Sequence, residues 1–288
     1  MKIEALKVNA FTDKIDGGNS AGVVINPPIL SEKQMSHISK VLGVSETAFV
    51  FKSKEYDYKV RFFSHDVEVD LCGHATIASF FTLAERGLIS KNKVIQQTKA
   101  GVLPVEIDFD DLKNVRKVMM TQSEPIYKDI SLDIYSLADA LNIKKDYIDN
   151  SMPSQSVSTG LFTLPICIKN FEILKSIETN YKKVKNFCKK IDVGSLHLFT
   201  FDTLDEDSIY HARNLAPVYG INEDPVTGTA NGAVCSYLVK NGIINCSNFI
   251  CEQGDIIGRP GRVNVKIKDN IVKVGGTAKF VEKRIIDI

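Results

Sequence analysis

Apolar residues along this chain fall mostly into short runs of strand length. Few stretches have helical spacing. In the first half, the runs at 2–9, 22–25, 47–51, 58–63, 94–98 and 102–109 predict strands. The segment 31–42 instead has helical periodicity. Ser31 with Gln34 three residues on makes a capping box at its start. Asp110 and Asp111 punctuate a hairpin, and the first half ends near Lys117.

The pattern repeats once. Asp70-Leu-Cys-Gly-His-Ala75 aligns with Pro225-Val-Thr-Gly-Thr-Ala230 at an offset of 155 residues. At that offset Ala78 meets Ala233, Leu83 meets Leu238, Gly87 meets Gly242, and Leu88-Ile89 meets Ile243-Ile244. Each copy predicts a helix opened by one glycine, ended by another, and running into an apolar strand. After a short insertion, Val105-Glu-Ile107 meets Val265-Lys-Ile267 at an offset of 160. Two copies at this spacing describe a duplicated domain rather than a solenoid. Many short strands with one embedded helix per copy make the class α+β.

Composition narrows the function. The chain has 288 residues, 44% hydrophobic and 25% charged, enough for two domains with sizeable cores. The net charge of +1 offers no footprint for nucleic acid. The lysine-rich stretch 182–190 reads as a solvated helix face. No run of about 18 apolar residues spans a membrane, and the start lacks the pattern of a secretion signal. The six cysteines, Cys72, Cys167, Cys188, Cys235, Cys246 and Cys251, form neither a disulfide framework nor a zinc-ligand spacing. The expected compartment is reducing and cytoplasmic.

Four glycine-containing stretches stand out: Gly17-Gly-Asn-Ser-Ala-Gly22, Leu71-Cys-Gly-His-Ala-Thr76, Glu223-Asp-Pro-Val-Thr-Gly-Thr-Ala230 and Gly258-Arg-Pro-Gly261. Two sit directly before predicted helices. A helix start presents unpaired amides and partial positive charge, so Gly73 and Gly228 open candidate anion sites. The competing reading is that these glycines only permit tight turns. Glu46 lies at an apolar strand start, where a partly desolvated carboxylate suits general acid/base work; the alternative is a surface residue beside a strand. His74, in the first turn of its helix, is either a substrate-binding imidazole or a packed one. Cys72 is either an activated thiolate or an inert buried thiol. Asp224 either orients a substrate amine or caps a turn. His37, His65, His197 and His211 show no ligand spacing. No dinucleotide fingerprint, phosphate loop or nucleophile elbow is present.

In order along the chain stand Val8-Asn-Ala-Phe-Thr-Asp13, Gly18-Asn-Ser-Ala-Gly-Val-Val24, Ser45-Glu-Thr-Ala-Phe49, Arg61-Phe-Phe63, Cys72-Gly-His-Ala-Thr76, Val157-Ser-Thr-Gly160, Glu223-Asp-Pro-Val-Thr-Gly228, Gln253-Gly and Gly258-Arg-Pro-Gly261. This ordered set resembles the PhzF-like family of phenazine-biosynthesis-type isomerases, which share the diaminopimelate-epimerase fold. The resemblance implies two pseudo-symmetric domains, each a curved β-sheet or barrel wrapped around a central α-helix, with the substrate in the cleft between them. It implies halves at 1–117, joined by the C-terminal strand 278–288, and at 118–277. It further implies that Glu46 is the catalytic acid/base, and that Asn19, Cys72, His74 and Asp224 contact substrate. Gly73, Gly228 and Thr229 would cradle its carboxylate. No metal or organic cofactor and a homodimeric state are part of the same implication.

Related epimerases place two cysteines across the reacting carbon. Here Cys72 matches the first and Thr227 stands in place of the second. A threonine hydroxyl is too weak an acid to serve in a thiol pair. The leading expectation is therefore a one-carboxylate proton shift by Glu46 on a small carboxylate. The alternatives are a Cys72-dependent amino-acid epimerase or dehydratase, and a non-catalytic small-molecule binding protein.

Overall fold

The computed structural model describes all residues from Met1 to Ile288. The chain divides into one unit of Met1–Thr121 with Gly275–Ile288, and a second of Gln122–Val274.

In the first unit the strand order is Ala278–Asp287, Lys2–Ala10, Asn19–Ile25, Thr47–Lys52, Tyr58–Phe63, Lys93–Thr98, Gly101–Phe109, Val115–Thr121. In the second it is Ile126–Asp129, Gln155–Ser158, Phe162–Ile168, Ser195–Thr200, Tyr210–Ala216, Asn248–Gln253, Gly261–Lys268. From the first edge inward both run antiparallel, antiparallel, parallel, antiparallel, parallel, antiparallel. The duplication seen in the sequence is thus a duplication of topology. The edge strand of each sheet comes from outside the repeat: Ala278–Asp287 follows the second copy, and Ile126–Asp129 precedes it.

Parallel neighbours need crossovers, and helices supply them. Six helices are present, all but α3 in such crossovers: α1 (Glu32–Leu42), α2 (Gly73–Glu85), α3 (Ile134–Leu141), α4 (Phe171–Ser176), α5 (Tyr181–Lys190) and α6 (Gly228–Lys240). In α1 the Ser31 hydroxyl accepts from the Gln34 amide while the Gln34 side chain accepts from the Ser31 amide. Gly43 ends the helix at a φ of 65°. Its buried face, Met35, Ile38 and Leu42, packs with Val24, Phe49 and Phe63. Ser31→Ala is expected to lower unfolding free energy by about 1 kcal/mol. Thermal unfolding checks this, and an unchanged midpoint would remove the cap from the account of α1. In α5 the buried face is Val184, Phe187 and Cys188, and Lys182, Lys183, Lys189 and Lys190 are exposed to solvent.

The repeated helices α2 and α6 differ from the others in being buried nearly all round. Residues such as Ala75, Ala78 and Ala84, or Ala230 and Ala233, let strands approach closely. In the first unit α2 packs against Lys2–Ala10, Asn19–Ile25, Thr47–Lys52, Gly101–Phe109, Val115–Thr121 and Ala278–Asp287. Hydroxyls that this burial would strand turn back on the helix: Thr76, Ser79 and Thr82 donate to the carbonyls four residues earlier at 2.8, 2.6 and 2.7 Å. Both helices end alike. Leu88 and Ile243 amides reach back to Leu83 and Leu238, and Gly87 and Gly242 both take a φ of 68°. One expectation needs correction: the apolar pairs Leu88-Ile89 and Ile243-Ile244 are not strand residues. Strands begin only at Lys93 and Asn248. Ile89 is buried while Leu88 is half exposed.

Candidate active site

Four of the six helices have a side-chain cap: Ser31, Asp133, Asn170 and Asn180 each accept from an amide of the first turn. The two repeated helices do not. Cys72 and Thr227 occupy their cap positions with extended backbone, and neither side chain bonds a first-turn amide. Two buried central helices therefore keep their N-terminal donors for something else, the arrangement of an anion site.

In the first unit, Glu46 and α2 meet at this point. The strand Thr47–Lys52 begins just after Glu46 and runs parallel to Asn19–Ile25, and the Gly22 amide donates to the Glu46 carbonyl at 2.9 Å. Gly22 allows this closeness, since a Cβ there would lie 2.2 Å from Thr47 Oγ1. Glu46 is thereby pinned at its backbone, and its side chain is 21% exposed. Its Oε2 lies 3.3 Å from His74 Nε2 and 3.9 Å from Cys72 Sγ. Cys72 Sγ lies 3.5 Å from His74 Nδ1, and Ser45 Oγ lies 3.4 Å from His74 Nε2. A carboxylate, a thiol and an imidazole thus converge beside the open helix start at Gly73. Asn19 is buried at the start of its strand, just after Gly18 with a φ of 63°.

The second unit holds a different set at the equivalent place. Asp224 ends the strand Ile221–Asp224 and accepts a short hydrogen bond from the Thr227 hydroxyl. Gln253 fixes the turn: its Oε1 accepts from the Thr227 amide at 3.1 Å and from Asn231 Nδ2 at 2.8 Å, and its Nε2 donates to the Asp224 carbonyl at 2.8 Å. Gly254 follows at a φ of 92°, and a Cβ there would lie 2.2 Å from the Arg259 carbonyl oxygen. Just upstream of Asp224, Glu223 is paired with Arg213, whose guanidinium also holds the Leu174 and Ile177 carbonyls. Thr229 is anchored through its carbonyl, which accepts from Thr159 Oγ1 at 3.1 Å.

Of the candidates read from the sequence, Glu46, Cys72, Gly73 and His74 come together in the first unit. Asp224, Gly228 and Thr229 share one turn and helix start in the second. The sequence pattern alone gives no role to Ser45, Gln253, Asn231 or Thr159. The signal for Gln253 was faint, a glutamine closing a strand beside a glycine. The remaining histidines lie elsewhere, with His37 exposed on α1. His197 and His211 are fully buried, and His65 Nε2 lies 2.6 Å from the Val44 carbonyl oxygen.

Residues 8–284 match the phenazine biosynthesis-like protein family, PhzC-PhzF. The chain is 38% identical over 291 residues to the uncharacterized isomerase YfhB of Bacillus subtilis, covering 99% of each. The chain belongs to the PhzC-PhzF family of isomerases. A PhzF-family protein of Bacillus anthracis has the same fold, with a TM-score of 0.92 and 31% identity over 100% of both chains. The fold extends beyond the family. A hydroxyproline epimerase of Agrobacterium vitis superposes with a TM-score of 0.62 at 12% identity, covering 99% of this chain and 92% of its own. The α+β class, with a curved sheet around a central helix in each unit, is therefore the diaminopimelate-epimerase type shared by PhzF proteins. A PhzF-type isomerase acts on a small molecule. No helix in this chain is long and apolar enough to cross a membrane.

Proposed function

We propose that this PhzF-family isomerase moves a proton between carbons of a small carboxylate substrate, without a cofactor, using Glu46 as general acid/base. The observation that carries the reading is the convergence of the Glu46 carboxylate on His74, 3.3 Å away, beside an uncapped helix start. In the proposed step the Glu46 carboxylate takes a proton from a carbon next to an electron-withdrawing group. The electron pair left behind shifts along the unsaturated system, and the same carboxyl returns the proton to another carbon. No electrons are gained or lost overall. Amides at Gly73, and at Gly228 and Thr229, would hold the substrate carboxylate and stabilise the negative charge that spreads onto it. His74, Asp224 and Asn19 would orient its polar groups. Thr227 donates its hydroxyl to Asp224, which suits a positioning part and not a second base. A homodimer in a reducing cytoplasm belongs to the same proposal, and the six free cysteines suit that compartment.

A Cys72-dependent epimerisation is the second reading. It is favoured by the 3.5 Å approach of Cys72 Sγ to His74 Nδ1, a thiol beside a base. Deuterium wash-in separates the two. A panel of small unsaturated and amino-acid carboxylates, beginning with a dihydro-hydroxyanthranilate, is incubated with the protein in heavy water and read by mass spectrometry. Uptake at carbon that persists in Cys72→Ala is the expected result. Uptake abolished by Cys72→Ala but retained by Glu46→Gln would transfer the chemistry to the thiol.

A further inference from the structure

We propose that Glu46, Cys72 and His74 also form a binding site for a thiophilic divalent metal ion of the zinc class, and that the bound ion holds the enzyme inactive. The metal site is argued from ligand geometry alone. That occupancy stops turnover rests on the proposed role of Glu46.

Zinc bonds of about 2.0–2.3 Å in tetrahedral geometry set neighbouring ligand atoms roughly 3.3–3.7 Å apart. Glu46 Oε2 and His74 Nε2 are 3.3 Å apart, Cys72 Sγ and His74 Nε2 3.8 Å, and Cys72 Sγ and Glu46 Oε2 3.9 Å. The three donor atoms thus have the mutual spacing of three tetrahedral corners; Cys72 Sγ lies nearer His74 Nδ1, at 3.5 Å, so the imidazole must turn to aim Nε2 at a shared ion. A thiolate, an imidazole and a carboxylate form a donor set of the soft-to-borderline kind, which selects zinc or cadmium over magnesium or calcium. The thiolate and the Glu46 carboxylate together balance a double positive charge. Entry is open, because the Glu46 and His74 side chains are 21% and 13% exposed. Backbone anchoring of Glu46 through Gly22, and placement of both Cys72 and His74 at one helix start, hold the three backbones in place while the imidazole turns. The fourth corner is left to water. An ion so placed would engage the oxygen that Glu46 needs for proton transfer.

Cobalt(II) is the probe, added to the reduced full-length chain. The expected result is one equivalent bound, with an intense near-ultraviolet thiolate-to-cobalt band and visible bands of tetrahedral strength. Zinc(II) at one equivalent should bleach them. Cys72→Ser should abolish the thiolate band, and Glu46→Gln and His74→Asn should each weaken binding at least tenfold. Cys246→Ser, which removes the exposed thiol elsewhere, should leave the spectrum intact. Circular dichroism of the metal-free variants controls for folding. Absence of a thiolate band in the folded protein would overturn the site, as would a band that survives Cys72→Ser or disappears with Cys246→Ser. Turnover lost at one equivalent of zinc and restored by chelator supports the inhibitory part. Stoichiometric metal binding with full turnover would uphold the site and count instead against Glu46 as the proton carrier.

Discussion

Glu46→Gln is expected to lower turnover by about 10²–10⁴-fold, the usual worth of a positioned general acid/base, while leaving the fold and ligand binding in place. Glutamine keeps the shape of the side chain and its ability to hydrogen bond, and loses only the capacity to carry a proton. The backbone there is secured independently, by the Gly22 amide on the Glu46 carbonyl at 2.9 Å and by the parallel register that begins at Thr47. The side chain is partly open to solvent, so its neutralisation leaves no orphaned charge. Steady-state rates on any carboxylate that takes up deuterium, together with calorimetric binding and a melting curve, give the three readouts. Substantial turnover in Glu46→Gln, with binding intact, would remove Glu46 from the chemistry.

Glu252→Leu should destabilise the second unit by about 3–5 kcal/mol at neutral pH, since it strips the shared acceptor from three hydrogen-bond donors around a fully buried carboxylate. Glu252 is 0% exposed and accepts from the Leu204 and Asp205 amides, at 3.0 and 2.6 Å, and from His211 Nδ1 at 2.8 Å. A leucine of similar size would leave all three donors without a partner. The same group sets an acid limit. Burial pushes its carboxyl upward, but the His211 bond, the two amides and the Arg262 charge outweigh this and hold it below the ordinary 4.5. A lowered folded value means the stabilisation is whole above pH 4.5 and is lost as pH falls through the folded value. His197 acts earlier. Burial lowers its imidazole from 6.5 to about 4, so the unfolded chain takes up a proton that the folded chain refuses. Its contribution therefore erodes as pH falls from 6.5 towards 4, by about 3 kcal/mol in all. Native-state hydrogen exchange in Tyr210–Ala216 and Asn248–Gln253 reads both effects locally. Wild-type protection in Glu252→Leu, or protection indifferent to pH between 6.5 and 4, would contradict this account.

Sequence legibility followed the range of the interactions involved. Helix α1 was readable because Ser31, Gln34 and the spacing of Met35, Ile38 and Leu42 are all local. The strands at Tyr58–Phe63 and Gly101–Phe109 were readable from runs of β-branched and aromatic residues. The two central helices were found through their shared offset, although their all-round burial gives little amphipathic signal. Helices α3 and α4 carry little local signal; each is short, and their caps Asp133 and Asn170 are ordinary loop residues until a helix is known to follow. At the site, single residues were nameable, but their grouping was not derivable. Glu46 lies 26 positions from Cys72, and the antiparallel pairing of Thr47 with Phe63 is what returns the chain, and the helix start that follows, to within 3.9 Å. The anchoring of Thr227 by Gln253 spans the whole of α6 and was invisible for the same reason.

The edge strand taken from beyond the repeat has a consequence for synthesis. On the ribosome, residues 1–121 emerge before residues 122–274, but their sheet lacks the partner of Lys2–Ala10 until Ala278–Asp287 appears. The open backbone edge of Lys2–Ala10 therefore stays unpaired until synthesis reaches residue 278, while the strands from Ile126–Asp129 to Gly261–Lys268 are all made before that point. The earlier-made half is the later one to close, and its unpaired edge is where a chaperone has reason to wait.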